Sequence, residues 1–254
     1  MEAFNTILLI MTVLGAVVFV ALYFVDAGYG KLISPHWGPT LPNKVGWMLM
    51  EAPVFLLVLY FWATSEVRFT LPYLLFFLLF ELHYFNRTFL FPLRLKGHSR
   101  MPVSVMLMSV AFNVVNGYIQ GYWLFRLAPE QAYYGDGWLT RPAFLAGVVL
   151  FFAGMFINLQ SDSIIRHLRE PGDTRHYLPK GGMYDYVTSA NYFGEIVEWA
   201  GWALLTWSGA GFVFFWFTCA NLVPRSNSIY HQYEKEFPDE FDAARLKRIF
   251  PHLY

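Results

Sequence analysis

The stretch ANYFGEIVEWAGWALLTW, residues 190–207, is apolar enough to lie in a bilayer, yet it carries Glu195 and Glu198, with Asn191 near its start. A charged side chain near the middle of a membrane helix costs about 2.5–3.5 kcal/mol on insertion scales. Such groups therefore face a bundle interior or a watery cavity rather than lipid. Asn191, Glu195 and Glu198 fall at i, i+4 and i+7, which places all three on one helical face. The stretch reads as a membrane helix with a polar inner stripe.

The rest of the chain supports that reading. Of its 254 residues 56% are hydrophobic, 20% aromatic and only 14% charged, far from the composition of an average soluble domain. Apolar runs of about 20 residues, enough to cross a hydrocarbon core of about 30 Å, fall at 5–25, 46–63, 70–91, 103–125, 142–164, 187–207 and 209–224. The expected fold is an all-α integral membrane protein of seven transmembrane helices, with residues 1–254 forming a single domain. The first run lacks a basic leader and a small-residue cleavage site, so it reads as a retained helix. Net charge is zero, but fifteen of the eighteen Lys and Arg residues fall on one set of alternate loops, leaving Arg68, Arg126 and Arg141 opposite. The positive-inside rule then puts the N-terminus outside and the C-terminus in the cytoplasm, as an odd number of spans requires. The polar tail from Asn227 onward reads as a surface helix on the cytoplasmic side.

A second polar stripe runs along the fifth span, where Asn158, Asp162, Arg166 and Arg169 are spaced by four, four and three. The third span ends in FELHYFNRTFLFPLRLKG, placing Glu81, His83, Tyr84, Asn86 and Arg87 within two turns, and the second contributes Glu51 in MLMEAPVF. These groups either join helices to one another, through contacts worth about 0.6 kcal/mol each, or line a site. Tyr84 is an interfacial anchor or a donor. Glu51, a wetted interfacial carboxyl on one reading, is on the other a donor that a neighbouring phenol would complement at a carbonyl oxygen. The basic loops, with Gly172, Gly181 and Gly182, suit either a phosphate-bearing ligand or anionic lipid.

Other chemistries are excluded more firmly. The seven histidines, at 36, 83, 98, 167, 176, 231 and 252, are too dispersed for a membrane di-iron centre, so no metal is expected. The single cysteine, Cys219, rules out internal disulfides and thiolate clusters. No GxGxxG follows a strand, no GxxxxGK[ST] or GxSxG occurs, and residues 209–224 contain no lysine for a retinal.

Several stretches, in order along most of the chain, resemble steroid 5α-reductases (3-oxo-5α-steroid 4-dehydrogenases) of the type 1 and type 2 kind. They are GYGK from Gly28, LMEAPVF, HYFNRTF, NGYIQGYWL from Asn116, GMFINLQSDSIIRHLREPGD from Gly154, PKGGMYDYVTSANYFGEIVEWAGWALLTWS from Pro179 and the terminal FPHLY. The resemblance implies an NADPH-dependent membrane reductase that saturates the C4=C5 bond of a 3-oxo-Δ4-steroid or similar enone lipid, with hydride delivered to C5. It implies that Glu51 and Tyr84 hold and polarise the 3-ketone, with Trp199 also at the substrate. It implies cofactor contacts from Asn158, Asp162, Arg169, Tyr177, Asn191, Glu195, Arg225, His231 and Tyr233, with Lys31 and Arg87 near the phosphates. The segment Arg175-His176-Tyr177-Leu178-Pro179 departs from the family order of Tyr, basic residue, aliphatic residue and Pro. The implied protein is a monomer in the endoplasmic reticulum or bacterial inner membrane, its cofactor site facing the cytoplasm, with lipid as neighbour and no nucleic acid. Two competing readings are an isoprenylcysteine-type membrane methyltransferase using S-adenosylmethionine and a non-enzymatic sterol or lipid binder. Glu51 and HYFNRTF favour the reductase, since methyl transfer has no ketone to polarise.

Overall fold

The computed structural model describes residues 1–25, 37–97, 99–135, 137–168 and 175–254. Seven long helices stand among them: α1 (Glu2–Ala21), α2 (Asn43–Ala63), α3 (Leu71–Arg94), α4 (Val103–Glu130), α5 (Pro142–His167), α6 (Ala190–Thr206) and α7 (Gly209–Glu236). The first five are long and apolar enough to cross a membrane. Helix α6 has 17 residues, and α7 is apolar only in its first half. On α5, Leu145, Val149, Phe152 and Phe156 form an exposed apolar stripe while Asn158, Ser161 and Asp162 are buried. That is the inverse of a water-soluble helix and fits a lipid surround.

Contacts divide the chain into two compact units, Met1–Leu8 with Ala27–Phe144, and Leu9–Asp26 with Leu145–Tyr254. In the first, a two-stranded antiparallel ribbon pairs β1 (Thr40–Pro42) with β2 (Arg100–Pro102), a strand element not expected from the sequence. Each strand ends in a proline that leads straight into a helix, β1 into α2 and β2 into α4. Proline ends ribbon pairing and tolerates a helix start because its missing N–H would be unsatisfied there anyway. The two helices then run parallel at very close range. A Cβ on Gly117 would lie 2.9 Å from the Val54 Cα, and one on Gly121 would lie 2.5 Å from the Phe61 ring. Helices α3 and α4 each contain a π-helical turn, Asn86–Leu90 and Trp123–Leu127. The first turns Asn86, Arg87 and Thr88 inward.

The second unit is organised by backbone contact between α5 and α6. A Cβ on Gly154 would lie 2.2 Å from the Glu198 N, and one on Gly194 2.5 Å from the Asn158 N. One on Gly147 would meet the Leu205 N at 2.5 Å, and one on Gly201 the Phe151 N at 2.4 Å. Two glycines seven apart on each helix thus interlock along an antiparallel seam. A tight turn at Trp207, in the left-handed region, joins α6 to α7, where the Ser208 Oγ accepts from the Gly211 N at 3.0 Å as a cap. Residues 227–236 continue α7, and the chain beyond Phe237 is irregular, so the polar tail is not the separate surface helix expected. It runs instead beside residues 176–189. His176 meets Glu236, Lys180 meets Glu240, the Arg245 Nε donates to the Asp185 O, and the Lys247 and Arg248 carbonyls accept from the Thr188 and Ser189 N. Ile249, fully buried, closes the arrangement against Ile196 and Leu222.

Any side chain at position 154 must push apart two backbones, and overpacking a filled site costs about 1–3 kcal/mol or more. Gly154→Val is expected to lower the thermal midpoint in detergent by several degrees, while Gly135→Ala, whose nearest atom would be 3.9 Å away, leaves it unchanged.

Candidate functional site

In the first unit the polar groups converge on α4. Its Asn113 Nδ2 donates to the Met50 carbonyl at 2.6 Å and to the Glu51 Oε2 at 3.1 Å. One turn on, the Asn116 Nδ2 donates to the Tyr84 hydroxyl at 3.3 Å, and the Gln120 Nε2 donates to the Asn116 Oδ1 at 3.4 Å. Asn113, Asn116, Gln120 and Tyr84 are buried, while Glu51 is half-buried. The Tyr84 ring packs on Phe80 at 4.8 Å and edge-on to His83. Arg87, turned inward by the π-turn, lies against the rings of Trp47 and Phe91 at 5.0 and 4.9 Å. The two α4 amides Asn113 and Gln120 were not singled out from the sequence. Their signal was present as three carboxamides at 113, 116 and 120 in an otherwise apolar span.

In the second unit the α5–α6 seam brings the two polar stripes together. The Asn158 Nδ2 donates to the Asn191 carbonyl at 2.9 Å, and the Asn191 Nδ2 donates to the Asp162 Oδ1 at 3.4 Å. Tyr184, in the loop before α6, donates to the Asn191 Oδ1 at 3.5 Å. Burial, aided by the neighbouring Tyr233, Asp162 and Tyr192, holds its phenol well above the ordinary tyrosine range. Tyr184 is a member of this cluster that the sequence reading did not pick out. Arg225, buried on α7, donates to the Tyr192 hydroxyl at 3.2 Å and stacks on that ring. Glu195 is half-buried and Glu198 fully buried, so the single stripe on α6 divides between two environments. Trp199 is buried among Phe151, Trp202 and Phe214. Tyr233 is buried, Tyr177 half-buried under the Arg175 guanidinium, and His231 exposed beside Glu234. Lys31, Arg169 and Gly172 lie outside the described residues.

The donors and acceptors of the second unit suit a large polar ligand carrying amide, hydroxyl and phosphate groups. Carboxyls accept from hydroxyls, carboxamides do both, and a guanidinium binds phosphate oxygens. The first unit offers a carboxyl, a phenol and a guanidinium set against aromatic faces. Residues 99–254 match the family model for 3-oxo-5-alpha-steroid 4-dehydrogenase. Gossypium hirsutum steroid 5-alpha-reductase DET2 is 38% identical over 255 residues, covering 99% of this chain and 97% of that protein. The chain belongs to the 3-oxo-5-alpha-steroid 4-dehydrogenase family. Arabidopsis thaliana steroid 5-alpha-reductase DET2 is 35% identical over 257 residues, with 99% and 97% covered. Homo sapiens 3-oxo-5-alpha-steroid 4-dehydrogenase 1 is 37% identical over 243 residues, with 94% and 91% covered. Family membership thus extends over both units and both polar clusters.

Tyr184 supplies a check on this geometry. An unfolded tyrosine loses its proton near pH 10, whereas the folded chain retains the Tyr184 proton above that pH. Stability therefore falls as pH rises past about 10, because the unfolded state then binds fewer protons. Thermal midpoints of wild type and Tyr184→Phe, compared from pH 8 to 11, are expected to diverge only above pH 10, with the wild type falling more steeply.

Proposed function

We propose that the protein is an NADPH-dependent reductase of 3-oxo-Δ4-steroids or similar enone lipids, acting as one domain that spans a membrane seven times. The observation that carries this reading is that a carboxyl and a phenol, Glu51 and Tyr84, are hydrogen-bonded to neighbouring amides of α4, Asn113 and Asn116. An enone that accepts hydride at its β carbon develops negative charge on the carbonyl oxygen. Donors fixed at that oxygen in a dry site lower the barrier far more than they would in water. A phenol and a carboxylic acid surrounded by apolar helices supply that arrangement, and the similarity to steroid 5-alpha-reductases over the whole chain supports it.

The donor set of the second unit fits NADPH, which when bound would supply the hydride. Asn158, Asn191, Asp162 and Glu195 would bind its amide and hydroxyl groups, and Arg225, with Tyr177, His231 and Tyr233, would hold the remainder. In the first unit, Arg87 would offer charge to an anionic group. Two further buried polar atoms of the second unit, the Ser189 Oγ and the Gln232 Oε1, have no hydrogen-bond partner among the described residues. Buried polar atoms are normally satisfied, and a polar ligand would satisfy them. By the positive-inside rule the basic loops would put the cofactor side in the cytoplasm, with the N-terminus outside, in an endoplasmic reticulum or bacterial inner membrane. Trp199 would line the steroid's path, and the protein acts as a monomer.

Detergent-purified protein is expected to oxidise NADPH in the presence of a 3-oxo-Δ4-steroid and to yield the 5α-dihydro product by mass spectrometry. Tyr84→Phe should lower kcat by about 10²–10³-fold, the loss typical of one oxyanion donor, with NADPH affinity retained. Asn191→Leu should instead weaken NADPH binding about tenfold, the equivalent of about 1.4 kcal/mol. NADPH binding without steroid turnover would redirect the substrate class. Failure to bind NADPH would overturn the reading.

A further inference from the structure

We infer that Glu81 of α3 is a second polar contact for the substrate, binding a hydroxyl group that the lipid carries away from its enone carbonyl. The inference deepens the proposed function and rests on it, since it adds to the enone a further group that the bundle recognises.

Helix α3 has an apolar outer stripe beside a polar inner one. Leu78, Leu82, Phe85 and Phe89, spaced by four, three and four, are exposed. Phe77, Glu81, Tyr84 and Thr88 repeat that spacing one residue earlier and so share the neighbouring side of the helix. Phe77 stacks on Trp62 of α2 at 4.1 Å, and the Tyr84 hydroxyl lies 3.3 Å from the Asn116 amide of α4. These two contacts turn this side of α3 toward α2 and α4. Glu81 lies between them along the helix, at 7% exposure.

Both carboxyl oxygens of Glu81 are buried, and neither has a hydrogen-bond partner among the described residues. The same holds for the Thr88 Oγ1, in a residue at 1% exposure. That hydroxyl departs from the habit of this chain. Thr6, Thr64, Thr206 and Thr218 each donate to the carbonyl four residues earlier, at 2.9, 2.7, 2.8 and 3.0 Å, the usual outlet for a helical threonine. Thr88 stands in the π-turn, where this bond is not made. Tyr84 is therefore flanked, three residues before and four after, by buried oxygens that the described residues leave unpaired. Buried polar groups are normally satisfied, and a carboxyl in an apolar span is among the costliest to leave alone. A carboxyl that only tied α3 to its neighbours would be paired with one of them.

The chemistry of the missing partner follows from the surroundings. A hydroxyl both donates and accepts, so it pairs with a carboxyl in either protonation state. It also enters an apolar bundle far more readily than an ammonium or a second carboxylate would. A lipid whose enone carbonyl lies at Tyr84 and whose hydroxyl reaches about one helical turn further along α3, some 5 Å, would meet Glu81.

The test uses the full-length, detergent-purified protein with NADPH and a series of 3-oxo-Δ4-steroids: a parent without hydroxyls, and derivatives bearing one hydroxyl at C11, at C17 or on the side chain. For each steroid, kcat, KM and the ligand-induced shift of the thermal midpoint are measured. At least one derivative is expected to exceed the parent in kcat/KM by about tenfold or more, because a site built for a hydroxyl rejects the analogue lacking it. Glu81→Leu should abolish that preference and leave the parent within about threefold of wild type, with an unchanged or higher ligand-free midpoint, since an unpaired polar group has been replaced by an apolar one. Glu81→Gln, which keeps an accepting oxygen in the same shape, should retain part of the preference. A loss as complete as that in the leucine variant would overturn the proposal. So would a preference that survives Glu81→Leu, or a midpoint lowered by several degrees in that variant, which would make the carboxyl a structural group. Turnover of the parent with no derivative preferred would leave solvent alone at Glu81 and overturn this inference by itself. Neither binding nor turnover of any steroid would overturn the proposed function with it.

Discussion

The backbone contact between α5 and α6 is the constraint on which the second unit depends. Lipid tails are as apolar as leucine, so membrane helices gain little from hiding apolar side chains against one another. Close packing and interhelical hydrogen bonds must hold them instead. Glycines at 147, 154, 194 and 201 remove the side chains that would keep the two backbones apart, and four sites that a Cβ would overfill mark the seam. At that separation a carboxamide on one helix reaches the main chain of the other, as the Asn158 amide reaches the Asn191 carbonyl. The polar cluster is therefore a consequence of the glycine seam. With longer side chains in the seam, Asn158, Asp162 and Asn191 would remain on facing helices but out of reach of one another.

The first unit solves the same problem with a division of labour on one helix. On α4, Gly117 and Gly121 serve the approach to α2, while Asn116 and Gln120, three residues beyond Asn113 and Gly117, turn toward α3. A helix can address two neighbours this way because, at about 100° per residue, a step of three turns a position about 60° to one side and a step of four about 40° to the other. The short ribbon helps by fixing where α2 and α4 begin, so that residues near 50 and 113 arrive at the same level. The π-turn after Tyr84 adds a local change of phase. It turns Arg87 into the protein interior, where the rings of Trp47 and Phe91 receive it.

Much of this was legible in the sequence, and the remainder was not for identifiable reasons. Polar residues at helical spacing in apolar runs stand out, so the stripes through Asn158 and Asp162 and through Asn191 and Glu195 could be read from periodicity. The same periodicity placed Glu198 with its neighbours, whereas a helix packed on two sides divides one stripe between them. The glycines were visible but carry no side-chain signal, and their spacing of seven acquires meaning only when a facing helix shows the same spacing. Residues 227–236 are polar enough to suggest an independent surface helix, and Pro224 just before them reads as a break, yet α7 runs through it. The path of residues 237–249 beside 176–189 depends on pairing across about sixty residues of sequence, which local pattern does not encode. Three-residue strands ending in proline likewise have no period to detect.

The arginines of this chain show how aromatic rings can orient a cation in an apolar protein. Arg87 lies against Trp47 and Phe91, Arg225 stacks on Tyr192, and Arg248 on Tyr230 and Tyr254. An aromatic face attracts the positive plane of a guanidinium, while the N–H donors point outward along its edge. A carboxylate partner would occupy that edge and cancel the charge. An aromatic partner does neither, so the side chain can be buried and oriented while its capacity to bind an anion is kept. That arrangement costs less than burying a lone cation and differs from a salt bridge in what it leaves available. Aromatic rings thus recur as the faces against which this chain sets its guanidinium groups.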